Sequence, residues 1–552
     1  MPKFKEEKQK AQLKEIYKRE AEDLAKILAD KYKIPYLNLV RITINLDYLK
    51  LISEKEARET GCAIIQGTGK KLKIVVKNPE LQKTKNLLSE LENKNYTYEL
   101  FLASIPSLEH AWSRYKEVEE TSKFDAGVIT VTEKSKKEVS TITSFGEFLK
   151  QSTAQKGSIK ATEILEIILS GGFGLEASDI HIEPEENDVA VRIRLDGVLH
   201  EISKFSHEIF KLLASRIKLV SGLKINIRNR AQDGRFTIRT KGVDVEVRVS
   251  LLPGNYGESI VMRLLHPKTI GLTLEKLGMQ QPVYQMLEKE LKKPNGMILT
   301  TGPTGSGKTT TLYAFIRKLK SPGIKIITLE NPIEYHIKGI TQTQVKPAGD
   351  YSFEKGLAAI LRQDPDVILV GEIRNIETAG TAMHAALTGH LVFSTLHTNN
   401  APATIPRLID IGIKPNIIAP AINVAMAQRL LRKLCECRKQ EKATEKEKNI
   451  IENILKDLPK EYKKPNLDNL SIFKAVGCKK CSNIGYKGRV GIYEVFLIND
   501  EIENLILKIP SEADIRAAAK QQGMLTFRQD GILKLLEGIT SIEEFERVAG
   551  GE

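Results

Sequence analysis

Apolar residues along this chain change their period several times, and each change marks a different kind of element. Near the middle, the run Met297-Ile-Leu299 predicts a buried strand, and Thr311-Leu-Tyr-Ala-Phe-Ile-Arg317 after it has helical spacing. Lys325-Ile-Ile-Thr-Leu-Glu330, Asp366-Val-Ile-Leu-Val-Gly371-Glu372 and His390-Leu-Val-Phe-Ser-Thr-Leu-His397 read as three further buried strands, so an open α/β sheet is expected from about residue 278 to 434. Between 158 and 277 the pattern is period two. Val189-Ala-Val-Arg192-Ile-Arg194-Leu, Arg235-Phe-Thr-Ile-Arg239, Val243-Asp-Val-Glu-Val-Arg248-Val and Ser259-Ile-Val-Met-Arg263-Leu-Leu each set an arginine in an apolar or β-branched run. Such alternation predicts a sheet with one apolar and one guanidinium-rich face, the latter either an anion-facing surface or ordinary surface arginines.

The flanks are simpler. Residues 1 to about 35 mix Lys and Glu with Leu and Ala, as in an exposed amphipathic helix, and 34–115 alternate strand-like and helical runs, so 1–116 is expected to be a small N-terminal α/β domain. Residues 117–157 lose apolar periodicity and read as a linker with a short helix near Phe145–Gln151. Past the sheet, 435–494 is a cysteine-bearing element with a charged, helical insert over Lys439–Lys464, and 495–552 is a set of short helices.

At 552 residues and 41% hydrophobic content the chain is multidomain and globular. The longest apolar candidate, Ile417–Leu431, is broken by Pro420, Asn423, Gln428 and Arg429, so no transmembrane span is expected. The charged N-terminus has no signal-peptide core, which points to the cytoplasm. A formal charge of +14 admits nucleic acid or an anionic membrane surface, but the lysines are scattered among glutamates, as on a solvated surface.

Chemistry enters at Gly302-Pro303-Thr304-Gly305-Ser306-Gly307-Lys308-Thr309-Thr310, which fits the phosphate-loop pattern between a strand and a helix. Glycines let successive N–H groups turn inward, the helix N-terminus adds its dipole, Lys308 supplies a charge for the β/γ-phosphates and the Thr309 hydroxyl can ligate Mg²⁺. Glu330 and Glu334, just past one strand, lie where an open α/β sheet binds ligands, and Glu372 ends another as a Walker B acid does. His390 and His397 bracket a strand, either as structural residues or as sensors of the γ-phosphate. Of five cysteines, Cys435, Cys437, Cys478 and Cys481 form two close pairs that could close a structural zinc site or remain free thiols; Cys62 stands alone as a small buried residue.

These segments resemble the ATPases of type II secretion and type IV pilus assembly. The resemblance rests on Ala177-Ser-Asp-Ile-His-Ile-Glu-Pro, Gln232-Asp-Gly-Arg235, the phosphate loop, Leu329-Glu-Asn-Pro-Ile-Glu334, the stretches Arg362–Arg374 and Thr388–His397, the cysteine pairs and Gly485–Glu494. It implies a PAS-like domain followed by a RecA-like ATPase domain, with ATP and Mg²⁺ bound between them in a homo-hexamer. By motif, Glu372 would be the Walker B acid and share Mg²⁺ with Thr309. Glu334 would activate water with Glu330 as its neighbour, His390 and His397 would form a histidine box, and Arg248 and Arg263 would reach the γ-phosphate. The cysteines would hold Zn²⁺. Two departures stand out: Asn331 replaces an aspartate of the acidic box, leaving open which carboxylate activates water, and Cys435-x-Cys437 is one residue shorter than the usual pair. The family's extension and secretion motors carry both an N-terminal domain and the four cysteines, unlike its retraction motors. The expectation is a cytoplasmic motor, peripheral to the inner membrane, that drives type IV pilus assembly through an inner-membrane platform protein. A type II secretion pseudopilus motor is the alternative. A nucleic-acid-translocating RecA-like motor is more remote, because no concentrated basic loop is found and nucleic acid is not an expected partner. An ATP-binding scaffold without turnover is opposed by the intact loop, Glu372 and the arginines.

Overall fold

The computed structural model describes residues 3–550 except 40–41, 43, 50, 69–70, 94–95, 116–126, 132–140, 155–160, 241–242, 267–270, 346–350 and 469. The chain divides into two units, Met1–Thr130 and Val131–Glu552. In the first, a helix over Lys3–Tyr32 precedes a three-stranded sheet: β1 (Cys62–Thr68) pairs antiparallel with β2 (Lys71–Val76), which pairs parallel with β3 (Thr97–Leu102). Cys62 is fully buried, its backbone carbonyl accepting from the Trp112 indole at 2.9 Å. A three-residue strand, β4 (Val128–Thr130), ends this unit.

Part of the stretch read as a linker lies outside the described residues. Its described remainder holds the end of the first unit, with β4, and a helix, Ile142–Ala154, that belongs to the second unit. Phe145 and Leu149, one turn apart on this helix, are fully buried. A Cβ at Gly171 would come within 2.6 Å of the Phe145 ring, so that glycine makes room for it. Two apolar residues in a polar context sufficed to dock the segment.

The second unit carries two large sheets and a two-stranded one. In the first, β5 (Asp179–Pro184), β6 (Val189–Leu195), β7 (Val198–Phe205), β8 (Gln232–Thr240), β9 (Val243–Gly254) and β10 (Gly257–Leu264) run in the order β8-β9-β10-β5-β6-β7, every pair antiparallel. Val191, Ile193, Val247, Val249, Ile260 and Met262 are buried, while Arg192, Arg194, Arg248 and Arg263 alternate with them. The period-two pattern thus builds an apolar face and a guanidinium-rich one.

The other sheet contains β11 (Gly296–Thr301), β12 (Ile326–Glu330), β13 (Thr341–Gln344), β14 (Val367–Val370), β15 (Leu391–Leu396), β16 (Ile422–Leu434) and β19 (Tyr486–Leu497), in the order β13-β12-β14-β15-β11-β16-β19. All neighbours are parallel except the β16–β19 pair. Every residue of β11 and β15 is buried, because helices cover both faces. Met297 and Leu299 pack into one core and Ile298 into the other, together with Leu312, Phe315 and Phe393. This α/β arrangement puts the C-terminal ends of β11, β12, β14 and β15 along one edge.

The two sheets also meet at a turn. Asp196 and Gly197, both at positive φ, make the tight β6–β7 hairpin, and the Asp196 carboxylate accepts from the Gly488 N–H at 2.7 Å at the start of β19. Downstream, the charged insert opens as a strand, not a helix. β17 (Lys439–Lys442) pairs with β18 (Ser471–Lys474), and the helix is confined to Glu445–Leu455, opened by a Thr444/Glu447 capping box. Four short helices between Asp500 and Ala549 close the chain. The last is fastened by Glu544, whose buried carboxylate accepts from Arg432 at 2.7 Å and Arg547 at 2.6 Å. Burial pushes the Glu544 carboxyl upward, but the two guanidiniums outweigh it and hold its pKa below the ordinary value.

Phe145→Ala should cost about 3–5 kcal/mol by leaving a cavity against Gly171. Urea unfolding of the full chain would show it as an earlier transition, and an unchanged midpoint would mean that the helix is not docked in solution.

Candidate active site

The loop after β11 curls as its glycines dictate. Gly302, Gly305 and Gly307 have φ of 140, 82 and 94, in the region that side-chain-bearing residues avoid. At Gly302 and Gly307 space is closed as well. A Cβ there would lie 2.6 Å from the Gln428 carbonyl oxygen and 2.6 Å from the Gln428 side-chain nitrogen, respectively. Gln428 is buried, and its side-chain oxygen accepts from the Thr311 hydroxyl at 2.7 Å. This glutamine is the floor of the loop. Sequence reading missed it, although a buried-strand pattern interrupted by one amide was the available signal.

The helix that follows, Lys308–Leu319, has Gly307 as N-cap and no side-chain cap, so its first N–H groups face the loop. Lys308 folds back over the loop, donating to the Gly302 and Pro303 carbonyls at 2.7 and 3.1 Å. Burial pushes the Lys308 ammonium below its ordinary pKa, and the nearby Glu372 carboxylate opposes that shift. Ser306 is buried with an Oγ that lacks a partner among the described residues; Pro303, Thr304 and Thr309 are exposed and Thr310 half-buried. Uncapped N–H groups, an unpartnered hydroxyl and a folded-back ammonium are what a phosphate chain requires.

The acids differ in setting. Glu372, two residues past β14, is mostly buried, with one oxygen 2.6 Å from Arg374 and the other 3.6 Å from His397. Glu330, the last residue of β12, is buried among Thr328 (2.6 Å), Gln342 (3.3 Å) and the Tyr313 hydroxyl. Burial, and next Glu330, push the Tyr313 hydroxyl pKa up. Glu334 is the more open carboxylate and receives Arg248 from the other sheet: Nη1 lies 2.8 Å from Oε2, and Nη2 donates to the Ile333 carbonyl at 2.6 Å. Between the two acids, the Asn331–Pro332 peptide is cis.

Arg263 is held by Asp179, at 3.0 Å, and Asp179 also lies 3.4 Å from Arg194. Burial works against the charge of Arg263, but Asp179, with Glu334 further off, more than compensates and raises its pKa. Asp179 was read only as part of a motif. The two histidines part company. His397 follows β15 and reaches Glu372, whereas His390 precedes β15 and bonds the Ala385 carbonyl at 3.0 Å. Since Gly296 pairs with Leu391 and Thr301 with Leu396, His390 stands beside the start of β11. At about 3.3 Å per residue it is roughly 20 Å from the phosphate-loop edge, which it does not reach.

The cysteine pairs converge despite the short first spacing. Cys435 and Cys437 flank a tight turn in which the Arg438 N–H donates to the Cys435 carbonyl at 3.0 Å. All four Sγ atoms lie within 4.8 Å of one another, with Cys435–Cys478 and Cys437–Cys481 at 3.9 Å and Cys478–Cys481 at 3.8 Å. Sulfurs about 2.3 Å from a common centre form a tetrahedron with edges of about 3.8 Å. The Cys478 and Gly485 N–H groups donate to Cys481 Sγ at 3.1 and 3.3 Å, as suits a thiolate. Spacing and donors both fit zinc.

Residues 154–547 match the family model described as Type II/IV secretion system protein. The chain belongs to that family. Its relatives are named as ATPases, and this secretion ATPase is 45% identical to the Type II secretion system ATPase E of Vibrio cholerae over 67% of its own length and 72% of the relative's. It is 34% identical to the Type IV pilus assembly ATPase PilB of Myxococcus xanthus over 95% of its length and 90% of the relative's. The structure of the Legionella pneumophila ATPase DotB covers 72% of the chain, with 99% of its own length aligned, at a TM-score of 0.51 and 21% identity, which speaks for the fold alone. Among the described residues no helix is long and apolar enough to cross a membrane.

Gly307→Ala adds a methyl group against Gln428 at a left-handed backbone position. Titration with a fluorescent ATP analogue should show affinity reduced at least about tenfold, more than 1.4 kcal/mol; unaltered binding would show that the loop does not need this curl. Metal analysis of purified protein should find close to one zinc per chain, and Cys481→Ser should lose it; metal-free, folded wild-type protein would count against the site.

Proposed function

We propose that this secretion ATPase is the hexameric motor of type IV pilus assembly, which turns ATP hydrolysis into pilin extraction and polymerisation through an inner-membrane platform protein. In this reading residues 158–277 form the PAS-like, arginine-bearing domain and 278–434 the RecA-like ATPase domain. Residues 435–494 are a zinc-stapled element, 495–552 a helical end, 117–157 a linking segment and 1–116 the N-terminal domain. The chain works at the cytoplasmic face of the inner membrane. The observation that carries the proposal is the contact of Arg248 with Glu334. An arginine from one sheet and a carboxylate from the other are already partners at the strand edge that carries the phosphate loop, so charge placed along that edge acts on both.

The phosphate loop, Lys308 and the N-terminus of its helix hold the triphosphate. Thr309 and Glu372 would hold magnesium, which would supply positive charge against the charge that develops on the phosphates. Glu334 is the better candidate to accept the proton of the attacking water, because Glu330 is already engaged by three donors and buried. Arg248, leaving Glu334, and Arg263 then face the γ-phosphate, where a guanidinium stabilises charge that grows in the transition state. His397 fixes Glu372, and hydrolysis weakens the bond between domains. Zinc held by Cys435, Cys437, Cys478 and Cys481 would be structural, since four thiolates would leave no open position for catalysis.

Pilus assembly is favoured over type II secretion by the reach of one relative, while a second pilus assembly ATPase covers 70% of the chain, as the type II relatives do. The Myxococcus xanthus relative aligns through the N-terminal unit, while the type II relative, at higher identity, covers 67% of the chain. That higher identity keeps the secretion pseudopilus motor as the second reading.

Glu334→Gln should lower kcat by about two to four orders of magnitude while ATP analogues still bind, and Lys308→Ala should lose both. Full turnover in Glu334→Gln would move the base elsewhere. A deletion strain with normal pili and a secretion defect would replace the first reading with the second.

A further inference from the structure

The guanidinium-rich face of the antiparallel sheet is ordered in a way that the separate arginines do not reveal. Across neighbouring strands, Arg194 of β6 is the register partner of Asp179 of β5, and Asp179 is the partner of Arg263 of β10. Arg263 is in turn the partner of Arg248 of β9, and Arg248 of Arg235 of β8. Register partners point to the same face, so four arginines and one aspartate form a single row across five strands at about 4.8 Å per step. Like charges directly opposite one another destabilise a sheet, and a row of this kind asks for anions.

Anions are present for three of the four. Asp179 takes Arg194 and Arg263, and Glu334 takes Arg248. Arg235 is exposed and makes no hydrogen bond or ion pair among the described residues. Its neighbour Arg239, on the same face four residues on, is paired with Asp244 instead. Glycine precedes Arg235 for a packing reason: a Cβ at Gly234 would lie 2.5 Å from the Ser221 carbonyl, so the backbone here is pressed against the loop behind it and the strand position is held. A fixed strand thus presents one uncompensated guanidinium at the end of a row whose next two members flank Glu334.

We propose that Arg235 is a third phosphate-binding arginine of the ATP site, gripping the triphosphate alongside Arg248 and Arg263. The assignment rests on the ATP reading given above. A triphosphate supplies the multiple negative charge that the row lacks, and a planar guanidinium can bond two phosphate oxygens at once. When ATP draws Arg248 from Glu334, the three adjacent arginines Arg235, Arg248 and Arg263 share one polyanion. Asp179 remains as the counter-charge that keeps Arg263 and Arg194 from repelling each other.

The test compares Arg235→Gln, Arg235→Lys and Arg239→Gln in the full-length protein with Mg·ATP, using inorganic tripolyphosphate as a competing probe. Arg235→Gln should lower kcat/KM for ATP at least about tenfold and weaken inhibition by tripolyphosphate in parallel. Arg235→Lys should fall between it and wild type, because it keeps the charge and loses the fork, and Arg239→Gln should match wild type. If Arg235→Gln matches wild type in both readouts, the assignment is overturned while ATP hydrolysis stands. An equal loss in Arg239→Gln would also overturn it, since general surface charge would then explain the effect. Should Arg235→Gln fail to fold, Arg235→Lys decides alone: indistinguishable from wild type in both readouts, it overturns the assignment. Absence of ATP turnover in the wild type, unaffected by Lys308→Ala, would remove the ATP reading and this one with it.

Discussion

Parallel strands that start in register also end in register, and in this chain that shared edge makes a site out of residues far apart in sequence. β11, β12, β14 and β15 deliver the phosphate loop, the Glu330–Glu334 segment, Glu372 and His397 to one side of the sheet. Nothing in the local sequence of any one strand places its terminal acid near Lys308; parallel pairing does. The same constraint excludes His390. It borders the same strand as His397, but at the other end, and a six-residue strand separates the two edges.

The second sheet contributes through a different regularity. Period-two alternation gives it a charged face, and strand register decides which charges stand opposite one another. Arg248 meets Glu334, while Asp179 gathers Arg194 and Arg263. Apart from Arg263, which is exposed, these residues are buried or half-buried, so their pairs resist screening better than surface ion pairs do. Contact between the two sheets is consequently electrostatic at the site and backbone-directed at the Asp196–Gly488 turn.

Much of this was legible in the sequence because it was local. Glycine spacing around Lys308, acids at the ends of apolar runs and arginines at alternate positions each follow from a short window. What was not legible depended on distant partners. Gln428 looked like an interruption of an apolar stretch, and its meaning came only when β16 paired beside β11 and brought it under Gly302 and Gly307. A short helix near Phe145–Gln151 was legible, but its extent over Ile142–Ala154 and its docking were not, since Phe145 is buried against Gly171, a residue outside the window. Lys439–Lys442 is too charged to read as a strand and is one because Ser471–Lys474 lies beside it. For Cys435 and Cys437, one missing residue in the spacing mattered less than the turn between them.

β16 runs on from the floor of the loop. Seven residues past Gln428, about 23 Å at strand rise, it delivers Cys435 to the sulfur cluster. Along the way Arg429 donates to the Val548 carbonyl and Arg432 is locked to Glu544, both in the final helix. The strand is therefore a beam held at its midpoint by the phosphate loop, at its C-terminal end by the sulfur cluster, and braced between the two by the C-terminal helix. Displacing the Ile542–Ala549 helix would loosen that brace and, through β16, the floor of the phosphate loop.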